Sequence, residues 1–451
     1  MTANQNSSIC SVVSNTGVLA SQHAPAHIVC LICNGANASS RALPTTRGRA
    51  VKKKMFGLVA GAMSLALLTA CGGSDAPASE EATAAAEEST AAATGDTILI
   101  GINYELSGPV ATYGQSSVDG IEMAVDEINE AGGIDGKQIQ LVIYDNKSEP
   151  AEATTLATKL MTQDNVLTVI GPATSGSFKA TIPEANRNEI PVVSGSATAD
   201  DVTVTDAGVQ EYAFRTCFND SFQGTAMARY ALNTLDATTA VVVMDNSSDY
   251  AKGLAENFID TFTEGGGQIV GQEAYVAGDT DFNVILTRIR AQEFDVIYLP
   301  GYYNEAGLII GQARGLGITA PILGADGFDS PTLLDLAGAD ALNDVFFSNH
   351  YSSLDQDENV QAFIENYRGI YGIEPNAFNA LGYDTAYFVA DAIARATELT
   401  GPAIQQAMAE TENFVGVTGT FSIDENHNPV KSIVVIELAD GVQASSEKVD
   451  A

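Results

Sequence analysis

The chain has 451 residues, 21 basic against 57 acidic, for a formal net charge of −36, with five cysteines and no tryptophan. That balance excludes nucleic-acid binding, which needs a basic footprint, and adhesion to anionic lipid heads. It favours solubility, is silent on fold, and the length points to two domains.

Residues 1–50 contain Cys10, Cys30, Cys33, His23 and His27. A Cys-x-x-Cys with two histidines has the composition of a zinc site. The stretch lacks element periodicity, however, and lies upstream of a processing signal, so no metal and no other cofactor is expected. Val51 directly before Lys52, Lys53 and Lys54 reads as a start codon translated as valine. Residues 1–50 are therefore expected to be upstream sequence wrongly joined to the gene.

Residues 51–70 form a secretory signal peptide: three lysines, an apolar run from Met55 to Leu68, then Leu68-Thr69-Ala70 directly before Cys71. The run is too short for a permanent span, which needs about 20 residues. The cysteine makes the segment resemble a bacterial lipoprotein signal, in which Cys71 is lipidated and becomes the mature N-terminus. The expectation is an extracytoplasmic protein anchored to the cell membrane. Beyond residue 70 the chain keeps 15 basic and 57 acidic residues, a formal charge of −42. Cys71 and Cys217 are then the remaining cysteines, and with Cys71 lipidated no intramolecular disulfide can form. Residues 71–95 read as a flexible acidic, Ala-rich tether, because 74–95 lack any aliphatic side chain larger than alanine and cannot bury a core.

From residue 98 the chain alternates β-branched apolar runs with amphipathic stretches. Strands are expected over 98–105, 139–144, 166–171, 190–194, 240–244, 269–275, 295–300, 321–324 and 432–438. Helices are expected over 115–131, 150–163, 177–188, 221–235, 251–264, 281–292, 305–315, 358–371 and 378–399. Gly132, Gly265 and Gly317 read as left-handed helix caps. Short apolar strands alternating with helices argue for parallel sheets covered on both faces. The series looks doubled, once to about Arg215 and again to about Ser348, giving two doubly wound lobes. Ligands in such sheets bind beyond the carboxyl ends of the strands.

Those strand ends carry a polar set. Pro172-Ala173-Thr174-Ser175-Gly176-Ser177 and Gly195-Ser196-Ala197-Thr198 offer hydroxyls and backbone N–H groups near helix N-termini, which suits a carboxylate. Gly301-Tyr302-Tyr303 and Ala325-Asp326-Gly327 add tyrosines and an acid. Ser175 and Thr198 could equally cap helices or turns, Asp326 could belong only to a turn, and Tyr302 could be a half-buried strand residue.

A family resemblance rests on Leu106-Ser107-Gly108-Pro109 with Tyr113-Gly114, Ala131-Gly132-Gly133-Ile134-Asp135-Gly136, Val169-Ile170-Gly171-Pro172, Ala197-Thr198, and Tyr250 with Gly253-Leu254. In order and spacing these are similar to the leucine/isoleucine/valine-binding proteins, extracytoplasmic receptors of ABC importers, from about residue 98 to 441. The resemblance implies an α/β, type I periplasmic-binding-protein fold with two doubly wound parallel-sheet lobes and a three-crossover hinge. Lobe one would be 96–215 plus 352–418, and lobe two 216–351 plus 419–444. It implies that Ser175, Ser196 (by its backbone) and Thr198 hold an α-carboxylate. Tyr302 and Asp326 would face the ammonium, and Tyr113, Tyr250 and Phe378 would wall the side-chain pocket. It further implies an amino acid as ligand, branched-chain or aliphatic, a membrane permease as partner, and a monomer. Asp326 is one methylene shorter than the glutamate often found there, Gly195 stands where proline is common, and Ser148 and Thr174 occupy the positions of a disulfide that many relatives have. An aromatic amino acid, an amide or urea, or a tethered sensor of the same fold, remain alternative readings. Catalysis is not expected: no G-x-S-x-G, P-loop or H-E-x-x-H occurs, and His350 and His427 are the histidines left beyond residue 70.

Overall fold

A computed structural model describes residues 97–449. The expected signal segment and tether, Cys71 and the Cys30/Cys33 pair fall outside them.

The first sheet is built from β1 (Thr97–Tyr104), α1 (Ala111–Glu130), β2 (Gln138–Asp145), α2 (Pro150–Thr162), β3 (Thr168–Ile170), α3 (Ser175–Asn188) and β4 (Val192–Ser194). A two-stranded ribbon comes next, β5 (Val204–Thr205) with β6 (Gly208–Val209), then β7 (Ala213–Arg215). The sheet order is β2-β1-β3-β4-β7, every pair parallel. The central strands are apolar on both faces because helices cover both: Thr168, Val169, Ile170, Val192 and Val193 are all buried.

The second sheet comes from α4 (Asp220–Asn233), β8 (Thr239–Asp245), α5 (Asp249–Glu264), β9 (Gln268–Tyr275), α6 (Asn283–Arg290), β10 (Val296–Tyr298), α7 (Tyr303–Gly315), β11 (Ile322–Gly324), α8 (Pro331–Ala337) and β12 (Val345–Asn349). After β12 the chain returns to the first sheet with α9 (Glu358–Tyr371), α10 (Ala377–Arg395) and α11 (Gly401–Ala409). There α10 packs along α1 and against α11 and β3. A hairpin, β13 (Phe414–Gly416) and β14 (Gly419–Phe421), precedes a third passage to β15 (Ile433–Ala439) and β16 (Val442–Val449). The second sheet runs β16-β15-β12-β11-β10-β8-β9. In it β15 is antiparallel to β12, and β16 is antiparallel to β15. This is the doubly wound α/β architecture the alternation of elements predicts, with three passages between the sheets.

Two buried cations bind the passages together. Arg215 donates to the carbonyls of Thr198 and Ala199 (2.8 and 2.9 Å) and to Asn428 Oδ1 (2.6 Å). Lys431 Nζ donates to Thr216 O (3.0 Å) and to Thr418 Oγ1.

Several boundaries differ from the sequence reading. Gly132 and Gly317 have the positive φ expected of caps (114° and 79°), but Gly265 does not (φ −75°). Its neighbour Gly266 takes the left-handed position (φ 94°). Helix α3 starts at Ser175 rather than 177, with Thr174 as N-cap. The pattern of apolar runs does not anticipate β7, β12, β16, α8, α11 or the two small antiparallel pairs. β7 is three residues long, and β16 is polar and largely exposed, so neither carries a strong apolar signal.

Candidate functional site

The carboxyl ends of the two sheets face each other. Between them lies a small, narrow cavity lined by Tyr113, Thr174, Ser175, Ser196, Tyr250, Tyr302, Asp326, Gly327 and Phe378 among others. All but one of the side chains expected at the site line this space. Thr198 does not: it is buried behind the wall, with its hydroxyl toward Asp220.

The wall from the first sheet is made of loops after β3 and β4. Gly171 turns the chain with φ 91°, and a Cβ there would lie 2.4 Å from Asn103 O, so the turn requires glycine. Glu105, at the end of β1, is fully buried. Its carboxylate accepts the N–H of Ala173 (2.9 Å), the N–H of Thr174 (3.1 Å) and the Thr174 hydroxyl (2.7 Å). This clamp holds Thr174 as N-cap and places Ser175 at the first position of α3. There the unpaired N–H groups and helix dipole favour an anion. Ser175 Oγ accepts from Ala199 N–H (3.1 Å), so its own proton remains to be donated. Ser194 laces the two loops: its hydroxyl donates to Pro172 O (2.6 Å) and accepts from Ala197 N–H (3.0 Å) and, at 3.3 Å, from Ser196 N–H. Ser196 Oγ donates to Ala173 O (3.0 Å).

The opposite wall centres on Asp326, buried in a short 3₁₀ turn, Asp326–Phe328. The Tyr250 hydroxyl donates to Asp326 Oδ1 (2.7 Å) and accepts from Gly327 N–H (3.0 Å). Gln223 Oε1 accepts from Asp326 N–H (2.9 Å) and from the Ser348 hydroxyl (2.5 Å). The His350 ring stacks on Phe218 (centroids 3.6 Å apart), and its Nε2 lies 3.4 Å from Asp326 Oδ2. Burial lowers the His350 pKa, which favours the neutral ring. Burial and the Asp326 charge push the Tyr250 hydroxyl well above its usual range, keeping it a donor. A second acid, Asp220, is fully buried behind this wall. Burial first, and Asp326 second, push its carboxyl well above the ordinary carboxylate range, and its Oδ2 has no hydrogen-bond partner.

Aromatic rings line the space between the walls. Phe378 stacks on Tyr113 (4.3 Å), Tyr113 meets Tyr302 edge-on (5.6 Å), and Tyr302 stacks on Tyr250 (5.1 Å). Two of these rings come from each side. The two sides also touch directly: Tyr113 donates to Gly327 O (2.5 Å), Tyr303 to Pro109 O (3.0 Å), Thr112 pairs with Ser330 (2.9 Å), and Lys179 bridges Asp201 (2.9 Å) and Asp249 (2.7 Å). The cleft is closed.

Sequence reasoning misses Glu105, Ser194, Gln223 and His350. Glu105 reads there as the last residue of the first strand, so a survey of the loops beyond the strands passes over it. His350 draws notice only as a candidate for catalysis.

The chemistry of this cavity is that of a receptor for a small dipolar ligand: anion-binding donors on one side, a buried carboxylate on the other, aromatic rings between. A family model described as periplasmic binding protein matches residues 97–443. The chain belongs to the periplasmic binding protein family. The LivJ substrate-binding protein of a branched-chain amino acid transporter from Streptococcus pneumoniae, solved with isoleucine, is 43% identical. It covers 79% of this chain and all of its own, with a TM-score of 0.75. The leucine-binding protein LivK of Thermotoga maritima is 35% identical over 78% of this chain and 97% of its own, TM-score 0.72. Leu/Ile/Val-binding protein homolog 1 of Brucella abortus is 32% identical over 74% of this chain and 87% of its own. This is a family of extracytoplasmic solute receptors rather than enzymes. Among the described residues no helix is long and apolar enough to cross a membrane, and no cluster of side chains suits a metal ion.

Proposed function

We propose that this chain is the receptor of an ABC importer and binds a branched-chain or other aliphatic L-amino acid between lobe one (96–215 plus 352–418) and lobe two (216–351 plus 419–444). The observation that supports this most is the opposition, across one small closed cavity, of Ser175 at a helix N-terminus and the buried carboxylate of Asp326. A free amino acid is a zwitterion, and both charged ends need paired groups once water is excluded. In this reading Ser175, Ser196 N–H and the Thr198 segment receive the carboxylate. Asp326 and Tyr302 receive the ammonium, and Tyr113, Tyr250 and Phe378 cover the aliphatic side chain. Each buried CH₂ of that side chain adds about 0.8 kcal/mol.

Binding starts on lobe one, where Glu105 and Ala199 of the same lobe hold Thr174 and Ser175 at the helix end. Closure brings Asp326 and Tyr302 onto the ammonium. Contacts made only in the closed state shift the hinge equilibrium toward it, and a permease reads the closed shape. The same account has residues 51–70 removed and Cys71 lipidated, tethering the receptor through residues 71–95.

A relative from R. palustris solved with benzoate, 25% identical with a TM-score of 0.70, shows that the fold also takes a carboxylate without an ammonium. Asp326 argues against such a ligand here, because it would be left buried and unpaired beside an anion.

The test is a thermal-shift screen of the protein after unfolding and refolding to remove any ligand, against amino acids, amides, urea and benzoate. Ligand at about a hundredfold its Kd adds about 2.7 kcal/mol of stability, a rise of several degrees. A shift with leucine, isoleucine or valine supports the reading. A shift confined to urea, amides or benzoate refutes it.

A further inference from the structure

The turn that carries Asp326 also carries, on its other side, a second acid with a different partner. Asp329 comes directly after the 3₁₀ turn, and its N–H donates back to Asp326 O (3.1 Å), so the two residues move as one piece. Asp329 Oδ2 accepts two hydrogen bonds. One comes from Asn349 Nδ2 (2.8 Å), at the end of β12. The other comes from the backbone N–H of Ala377 (2.8 Å), the first residue of α10. That helix packs on α1 and belongs with the first sheet, whereas the turn belongs to the second. A lobe-two carboxylate is thus seated on the N-terminus of a lobe-one helix, next to Phe378 of the cavity wall. Asn349 in turn accepts from the N–H of His350 (2.9 Å), whose ring faces Asp326. Asp326, Asp329 and the second interlobe passage therefore form one hydrogen-bonded unit.

We propose that Asp329 is a closure latch: a positioning residue that never touches ligand but holds the closed cleft by docking on the α10 N-terminus. The inference rests on the receptor reading of the cavity. Its physical basis is that the first N–H groups of a helix have no intrahelical partner and carry the positive end of the dipole, so an ionised carboxylate is a favoured acceptor there. Opening the cleft separates turn from helix and returns both groups to water. A contact made only in the closed state raises the closed population, and apparent affinity scales with that population. The latch therefore acts on the rate of ligand release and leaves the encounter with open lobe one unchanged.

Two substitutions test this. Asp329→Ala removes the acceptor. Ala377→Pro removes the donor, at the helix position that tolerates proline best, and the preceding Asn376 already has the extended backbone proline demands (φ −102°, ψ −179°). The chain has no tryptophan, so ligand release can be followed by stopped-flow fluorescence of its 15 tyrosines, among them Tyr113, Tyr250 and Tyr302 at the cavity, with L-isoleucine or L-leucine. Each single variant is expected to release ligand roughly 10- to 100-fold faster with little change in association, the range for one charge-assisted hydrogen bond. In the double variant the second substitution is expected to add nothing, the signature of a shared contact that two independent structural lesions would not give. Unchanged release in either single variant, or simple additivity in the double, overturns the latch. Wild-type protein that binds neither amino acid overturns the receptor reading and the latch together.

Discussion

Replacing Asp326 with asparagine should separate ligand binding from folding. The carboxylate is buried, and asparagine keeps nearly its shape and an acceptor for the Tyr250 hydroxyl, now at 2.7 Å. The change removes the charge that faces the ligand ammonium and puts an N–H₂ group in its path. Breaking one side of a buried, hydrogen-bonded charge pair costs about 2–5 kcal/mol, or roughly 30- to several-thousand-fold in affinity. Without ligand the effect should run the other way. Asp326 adds to the electrostatic load on Asp220, so removing its charge relieves a like-charge interaction between two buried acids. Titration calorimetry with isoleucine should show the affinity loss. Thermal unfolding of ligand-free protein should show an unchanged or higher Tm. Affinity close to wild type would refute the role of Asp326, and a loss that merely tracks a lowered ligand-free Tm would show that the residue serves the fold.

Three further outcomes concern the buried charges. Asp220 has a folded-state pKa raised above its unfolded value, so the folded protein holds the extra proton and the residue becomes a cost as pH rises above the ordinary carboxylate value near about 4. Asp220→Asn should therefore gain stability over wild type progressively from about pH 4 upward, and a gain that is flat with pH would contradict this. Lys431 is pushed down to about 8 by burial, against 10.5 in an exposed chain. Between those values the unfolded state binds more protons, so wild-type stability should rise with pH, by about 3 kcal/mol at most, and Lys431→Met should lose that slope in chemical denaturation. Glu105→Ala strands the buried N–H of Ala173, at about 1–3 kcal/mol, and the part-buried N–H of Thr174, while Glu105→Gln keeps one acceptor and should fall between. A wild-type-like midpoint for Glu105→Ala would remove the clamp from the account of Ser175.

The parts of this fold that are legible in the sequence are those where one physical signal dominates. Strands such as β8 (TAVVVMD) are continuous apolar runs because both faces are covered, and helices such as α5 show a clean apolar stripe of Tyr250, Leu254, Phe258 and Phe262. β16 is not legible because it is an exposed edge strand with polar side chains, and β7 because three residues carry no periodicity. At the site, Ser175, Ser196, Tyr302 and Asp326 emerge from the residues just beyond each strand, since strand ends are where such folds place ligands. Tyr113 and Phe378 cannot be paired that way. They stack although far apart in the chain, and only the packing of α10 on α1 joins them. Their assignment rests on the family resemblance. The supporting residues are hidden for a related reason: Gln223 and His350 act through contacts with Asp326 that span 103 and 24 positions.

The zwitterion clamp is tested most directly by a crystal structure of the protein with L-isoleucine bound. The expected pose has the carboxylate about 3 Å from Ser175 Oγ and the Ser196 N–H, the ammonium about 3 Å from Asp326, and the side chain against Phe378 and Tyr113. A ligand bound the other way round, or an Asp326 carboxylate facing no cationic group, would contradict it.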